Sequence, residues 1–170
     1  MSSVALISVY QKDENFFDQQ CNVLYNLLKE REPDENISHK VLPGYNTHCD
    51  FVRSKPHKAW YIVQARESYY PFVGMVYLGK ENNIGVGILK RWRRHGYARA
   101  AIKSLMKHHK EKDYYANINP NNTKSLAMFE LLGFKLDTAK LTDPTQYVYR
   151  KSLFVHGMTN QRIKLRPLFV

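Results

Sequence analysis

The spacing of apolar and polar positions changes period several times along the chain, and each change marks an element. Val4 to Val9 is a β-branched apolar run that predicts a strand; Phe17, Cys21, Leu24, Leu27 and Leu28 then recur at helical spacing. Glu30 to Asn36 is charged and contains Pro33, and Pro43-Gly44 follows, so residues 37–58 are expected to be loop with one short helix. Three strand-like runs come next, Ala59 to Ala65, Pro71 to Leu78 and Asn83 to Leu89, separated by Glu67-Ser68 and by residues 79–82, which suits an antiparallel meander. From Ala98 the apolar Ala101, Ile102, Leu105 and Met106 fall on one helical face, while Arg99, Lys103, Lys107 and Lys110 fall on the other. Tyr114 to Ile118 reads as a strand, Asn122 to Leu132 as a short helix closed by Gly133, and Phe134 to Lys140 and Gln146 to Leu153 as two last strands. The order is β-α-β3-α-β-α-β-β, an α/β (α+β) domain.

At 170 residues the chain fits one domain with a sizeable core, expected over 1–153. Residues 154–170 read as a C-terminal extension, an extra strand or a flexible basic arm, because Arg162, Lys164 and Arg166 alternate with Ile163 and Leu165. No window reaches the roughly 18 consecutive apolar residues of a membrane span, and Met1 to Tyr10 lacks the basic start of a signal peptide. A cytoplasmic protein, monomer or homodimer, is the expectation. Cys21 and Cys49 have neither metal-ligand nor disulfide-framework spacing, and the histidines lack zinc spacing, so reduced thiols and no metal are expected. Charge is unevenly placed: residues 1–50 carry four Lys/Arg against eight Asp/Glu, residues 51–170 carry 22 against seven, and the net is +11. Such a basic C-terminal part points to anionic partners.

The most specific segment joins the run ending at Leu89 to arginines, a glycine and a helix start. A glycine turn entering a helix leaves main-chain N–H groups unpaired, and with arginines alongside it makes a seat for phosphates. Arg93, Gly96 and Ala98 are spaced as in the Q/R-x-x-G-x-G/A signature, which resembles the Gcn5-related N-acetyltransferases, the GNAT family. A second block, Asn119 to Ser125 followed by Phe129 and Gly133-Phe134, is similar to the N-x-x-S helix and L-G-F ending of that family. The resemblance covers residues 59–152 well and the first 58 loosely. It implies the GNAT acyl-CoA fold, a central mixed, mostly antiparallel sheet of about seven strands flanked by helices, and acetyl-CoA as cofactor.

The resemblance also assigns roles. The diphosphate of the cofactor would rest on the main-chain amides of Arg94, His95, Gly96, Tyr97, Ala98 and Arg99, with Arg93 opening the signature beside them, the pantetheine along Ile88 and Leu89, and Asn122, Ser125 and Phe129 closing the site; the Ile88 amide would polarise the acetyl carbonyl. Asn122 and Ser125 are equally suited to cap a helix. Two departures stand out: Phe129 occupies the position where many members carry the tyrosine that protonates the thiolate, and Asn83 the offset of their catalytic glutamate. Water or another tyrosine would serve as the acid, or the thiolate would leave unassisted; Tyr97, Tyr114 and Tyr115 are nearby in sequence, but none is placed to be named. Deprotonation of the amine would run through water or through His48, Asp50, His57 or Glu81. His48, Phe51, Arg53 and Trp60 form a polar and aromatic block suited to an acceptor. The expected activity is transfer of acetyl to a primary amine of a small anionic acceptor such as an amino-sugar nucleotide. The alternatives are an amine on nucleic acid and a non-catalytic CoA- or nucleic-acid-binding module.

Overall fold

The computed structural model describes residues 3–11, 13–35, 41–66, 69, 71–141 and 143–153; the expected basic arm at 154–170 lies outside them. Seven strands form in the expected order: β1 (Val4–Ser8), β2 (Ala59–Ala65), β3 (Phe72–Leu78), β4 (Ile84–Ile88), β5 (Asp113–Ile118), β6 (Lys135–Leu136) and β7 (Tyr147–Ser152). Four helices accompany them: α1 (Glu14–Lys29), α2 (Tyr45–Arg53), α3 (Tyr97–His108) and α4 (Thr123–Leu131). One expected strand is shorter than its apolar pattern suggests. Of Phe134 to Lys140 only Lys135–Leu136 pairs with β7, because Phe134 is drawn into the core and residues 138–140 tighten into a 3-10 turn.

The strands make two sheets, β1-β2-β3-β4 and β5-β7-β6, antiparallel throughout within each. They meet at one parallel bridge, Asn83 with Tyr115, where Tyr115 N–H donates to the Asn82 carbonyl at 3.0 Å. Period-two alternation sends the side chains of the first sheet into two different cores. On one face Val63, Val73, Val76, Ile84 and Ile88 meet Tyr97, Ala101, Ile102 and Leu105 of α3. On the other, Trp60, Ile62, Met75 and Leu89 meet Cys21, Leu24 and Leu27 of α1 and Cys49 and Val52 of α2. Of the residues that the 3.6-residue spacing picked out, Cys21, Leu24, Leu27, Ala101, Ile102 and Leu105 are buried, while Phe17, Leu28 and Met106 are half-buried at the edges of the stripes. Both cysteines are buried thiols, and among the described residues no cluster of His, Cys, Asp or Glu could hold a metal and no helix is long and apolar enough to cross a membrane.

Candidate active site

Register determines what the open edge of β4 offers. Leu89 N–H donates to Val73 C=O at 3.0 Å and Gly79 N–H to Asn83 C=O at 2.8 Å, so residues 83, 85, 87 and 89 are the hydrogen-bonded partners of β3. The main-chain groups of Ile84, Val86 and Ile88 consequently point the other way, toward β5. Past the Asn83–Tyr115 bridge β5 no longer pairs with β4, and the amides of Val86 and Ile88 face a gap between the two sheets. Ile88 was expected there from its offset; Val86, one pleat deeper, was not, and only the register shows it.

At the mouth of this gap the chain folds into a compact turn. Residues 90–92 form a 3-10 turn, Arg94 and Gly96 adopt left-handed backbone at φ 67° and 78°, and α3 starts at Tyr97. Gly96 is the N-cap; no side chain caps the helix and no acidic residue lies in its first turn. Left-handed residues leading into a helix that no side chain caps are the local conformations in which main-chain N–H groups can receive a phosphate. Side chains brace the turn from behind. His95 Nδ1–H donates to the Arg93 carbonyl at 2.8 Å, the His95 ring lies at 14° to that of Tyr97, and Trp92 meets Tyr97 edge-on at 6.4 Å. Arg94 and Arg99 remain exposed, whereas Arg93 is turned inward: its N–H goes to Lys90 C=O and its guanidinium to Glu35 and to Ile88 C=O. Arg93 therefore fastens the turn and is not presented as a phosphate ligand.

Other sequence assignments shift for physical reasons. Phe129 is 4 % exposed and packs edge-to-face on Phe134 at 5.0 Å, so it belongs to the core. Asn122 is the N-cap of α4, its Oδ1 accepting Ser125 N–H at 3.1 Å, which leaves its Nδ2 for another partner. Glu81 is exposed in the β3–β4 turn, at the joined end of the gap, with the length of β4 between it and Ile88. Tyr97 and Tyr114 are fully buried, Tyr114 with its hydroxyl on the His109 carbonyl.

The expected acceptor block is divided by the fold. His48 is 4 % exposed on α2 against Tyr25 of α1, its Nε2 lacks a partner, and burial lowers its pKa. Arg53 lies over the Phe17 ring at 4.4 Å and near Asp50, and Trp60 is core. Phe51 stays half exposed and meets His57 and Trp60 edge-on. His57 stacks on Tyr77 at 3.8 Å and 4°, and burial pushes its pKa down to about 4. Tyr77 had not been singled out. Its ring covers Gly85 so closely that a Cβ there would stand 2.1 Å from Cζ and 2.5 Å from the hydroxyl oxygen. A glycine opposite an aromatic residue across the β3–β4 pair was the available signal. Burial raises the pKa of this hydroxyl, which lies beside the middle of β4.

Comparison with known proteins agrees with this geometry. Residues 22–134, more than half of the chain, match the Acetyltransferase (GNAT) family model. Among solved structures, a domain from Methanocaldococcus jannaschii superposes with a TM-score of 0.70 at 22 % identity, covering 90 % of this chain and 100 % of that one. An acetyltransferase from Thermus thermophilus gives 0.68 at 17 % identity, with 89 % and 97 % covered. A spermidine N-acetyltransferase from Vibrio cholerae, solved with CoA and spermine, gives 0.63 at 14 % identity, with 87 % and 93 % covered. No curated protein matches the chain significantly in sequence. With an opened β4–β5 edge, a phosphate-shaped turn before α3 and the family model over 22–134, the chain belongs to the GNAT acetyltransferase family.

Proposed function

We propose that this acetyl-CoA-dependent N-acetyltransferase acts on a primary amine of a small anionic acceptor, an amino-sugar nucleotide being the model of its chemistry. The observation that carries this reading is an uneven balance of cations. Residues 51–170 hold 22 Lys/Arg against seven Asp/Glu, and among the described residues only Arg53, Lys58, Lys90, Arg93 and Arg150 of them form ion pairs. The cofactor's phosphates would use a few of the remainder at Arg94 and Arg99; the rest favour a negatively charged acceptor. The Vibrio cholerae neighbour is crystallised with a polycation, which a chain of net charge +11 would repel.

The residues present fit the donor. The left-handed turn and bare start of α3 would hold the diphosphate, and Val86 and Ile88 would receive the pantetheine arm as a neighbouring strand is received. Acetyl-CoA supplies the activated acyl carbon. One of the two amides, held by register before any substrate arrives, donates to the oxygen on which charge develops during attack. Val86 lies farther from the turn and suits a thioester separated from its phosphates by the pantetheine; Ile88 is the alternative. The amine must reach this point neutral. His48 and His57 are held neutral by burial and are weak bases, so its proton leaves through water. Water would supply the proton that a thiolate leaving group takes up, since Phe129 has none to give and burial raises the pKa of the Tyr77 hydroxyl.

A second reading, an amine borne on nucleic acid, is favoured by α3. Arg99, Lys103 and Lys107 are exposed four residues apart on a helix without a single acidic residue. Mass spectrometry of reactions offering amino-sugar nucleotides, polyamines, peptides and amine-bearing DNA tests both. Acetylated amino-sugar nucleotide with a shallow dependence on salt is the expected result, acetylated DNA with a steep salt slope establishes the second reading, and CoA binding without any product sinks both.

A further inference from the structure

The acidic first part of the chain makes contact with the basic turn at three points. Glu30 Oε2 accepts the Lys90 N–H at 2.6 Å, Glu32 pairs with Lys90 Nζ, and Glu35 takes the Arg93 guanidinium through two bonds, Nη1 to Oε1 at 2.9 Å and Nη2 to Oε2 at 3.3 Å. The third N–H of Arg93, on Nε, donates to the Ile88 carbonyl at 3.0 Å. This carbonyl points into the gap, because Ile88 is not among the residues bonded to β3. The next N–H, that of Leu89, is fixed on Val73. Arg93 thus completes the anchoring of the last peptide of β4, just where the strand becomes the turn.

We propose that Glu35 is a positioning residue of the donor site: by forking the guanidinium from one side it keeps Arg93 Nε on the Ile88 carbonyl, and so fixes the end of β4 along which the cofactor arm lies. The inference rests on the reading of residues 86–96 as the donor seat. A guanidinium offers its donors in a rigid plane, so two bonds to a carboxylate dictate where the third points. Only 32 % of the Arg93 side chain and 27 % of that of Glu35 are exposed, which shields the pair from water more than a surface pair is shielded. Without Glu35, Arg93 can turn to solvent or to a phosphate, and the Ile88 carbonyl loses its donor. The connector between α1 and α2, on the acceptor side of the fold, would then be part of what binds the donor.

The test uses the full chain with Glu35→Gln, Arg93→Gln, the double variant, Arg93→Lys, and Asp113→Asn as a control that breaks the Arg150 pair between β5 and β7. Calorimetric titration with CoA, steady-state kinetics and thermal unfolding are compared. Glu35→Gln is expected to raise the Kd for CoA and the KM for acetyl-CoA about tenfold while kcat changes less than about threefold, the pattern of lost ground-state positioning. Arg93→Lys, which keeps the charge and lacks the fork, should do the same. In the Arg93→Gln background Glu35→Gln should add nothing to Kd, and Asp113→Asn should lower Tm without touching Kd. CoA affinity unchanged in Glu35→Gln, or raised Kd by the same factor with and without Arg93, overturns the proposal. Failure of the unmodified chain to bind CoA would overturn the donor-seat reading itself and this inference with it.

Discussion

The proposed donor side and the proposed acceptor side of this molecule are built from different materials. Around residues 86–99 the groups assigned to the cofactor belong to the main chain: amides aimed by register, a turn bent by two left-handed residues, a helix start without a side-chain cap. Between α1, α2 and the sheet they are side chains, Phe51, His57 and Tyr77 in a ring cluster and His48 buried with an unpaired nitrogen. Main-chain sites depend on a few positions where only certain residues fit and tolerate change elsewhere. Side-chain sites depend on packing across elements, and each contact can be exchanged for another.

The largest effect should come from breaking the donor side at its tightest point. Gly96→Trp puts a bulky residue at φ 78° where phosphate would approach the backbone; CoA affinity is expected to fall roughly a hundredfold, about 2.7 kcal/mol, with far-UV dichroism unchanged. Titration showing wild-type affinity would remove the seat. Next in size is Gly85→Ala, which drives a methyl to 2.1 Å from the Tyr77 ring; the ring must leave His57 or β4 must shift, at about 1 to 3 kcal/mol by denaturant unfolding. A neutral result would show that the ring cluster yields easily and that the contrast between the two sides is overstated.

Smaller effects sharpen the boundary. Asn122→Ala removes the α4 cap and should cost about 1 kcal/mol of stability, while CoA titration of the same variant reports whether Nδ2 also reaches the donor. The acceptor side is probed by pH. His57 is depressed from 6.5 to about 4 by burial, so the unfolded chain binds its proton first; stability is full above pH 6.5 and declines as pH falls toward 4. Over that window wild-type Tm should drop by more than that of His57→Phe, which retains the stack on Tyr77 and cannot titrate. Parallel curves would mean His57 is wetter than its packing indicates.

The same contrast explains what could be read in advance. Ala59–Ala65 matched its strand to the residue and α3 began one residue before the pattern, because period two and period 3.6 are properties of neighbouring positions. Gly96 declared the turn because few other residues accept its backbone. Val86 stayed hidden because its role comes from register, which the Gly79–Asn83 and Val73–Leu89 pairings set across two strands. For Phe129 and Arg93 motif offset gives the element, whereas packing on Phe134 and capture by Glu35 decide what each side chain touches, and neither contact leaves a trace in local spacing. Tyr77 escaped notice since its partner Gly85 reads as a gap in a strand until the ring above it is seen.

The single bridge at Asn83 and Tyr115 has a mechanical consequence. Among the described residues it is the only main-chain joint between the two sheets, so they form a fork whose tines share packing on one side and one rivet at the base. Spreading the tines requires no ladder to be unzipped. The width of the slot is therefore governed by the side chains between α3 and the sheets, and a wider or narrower thioester could be accommodated by repacking that wedge while the rivet holds.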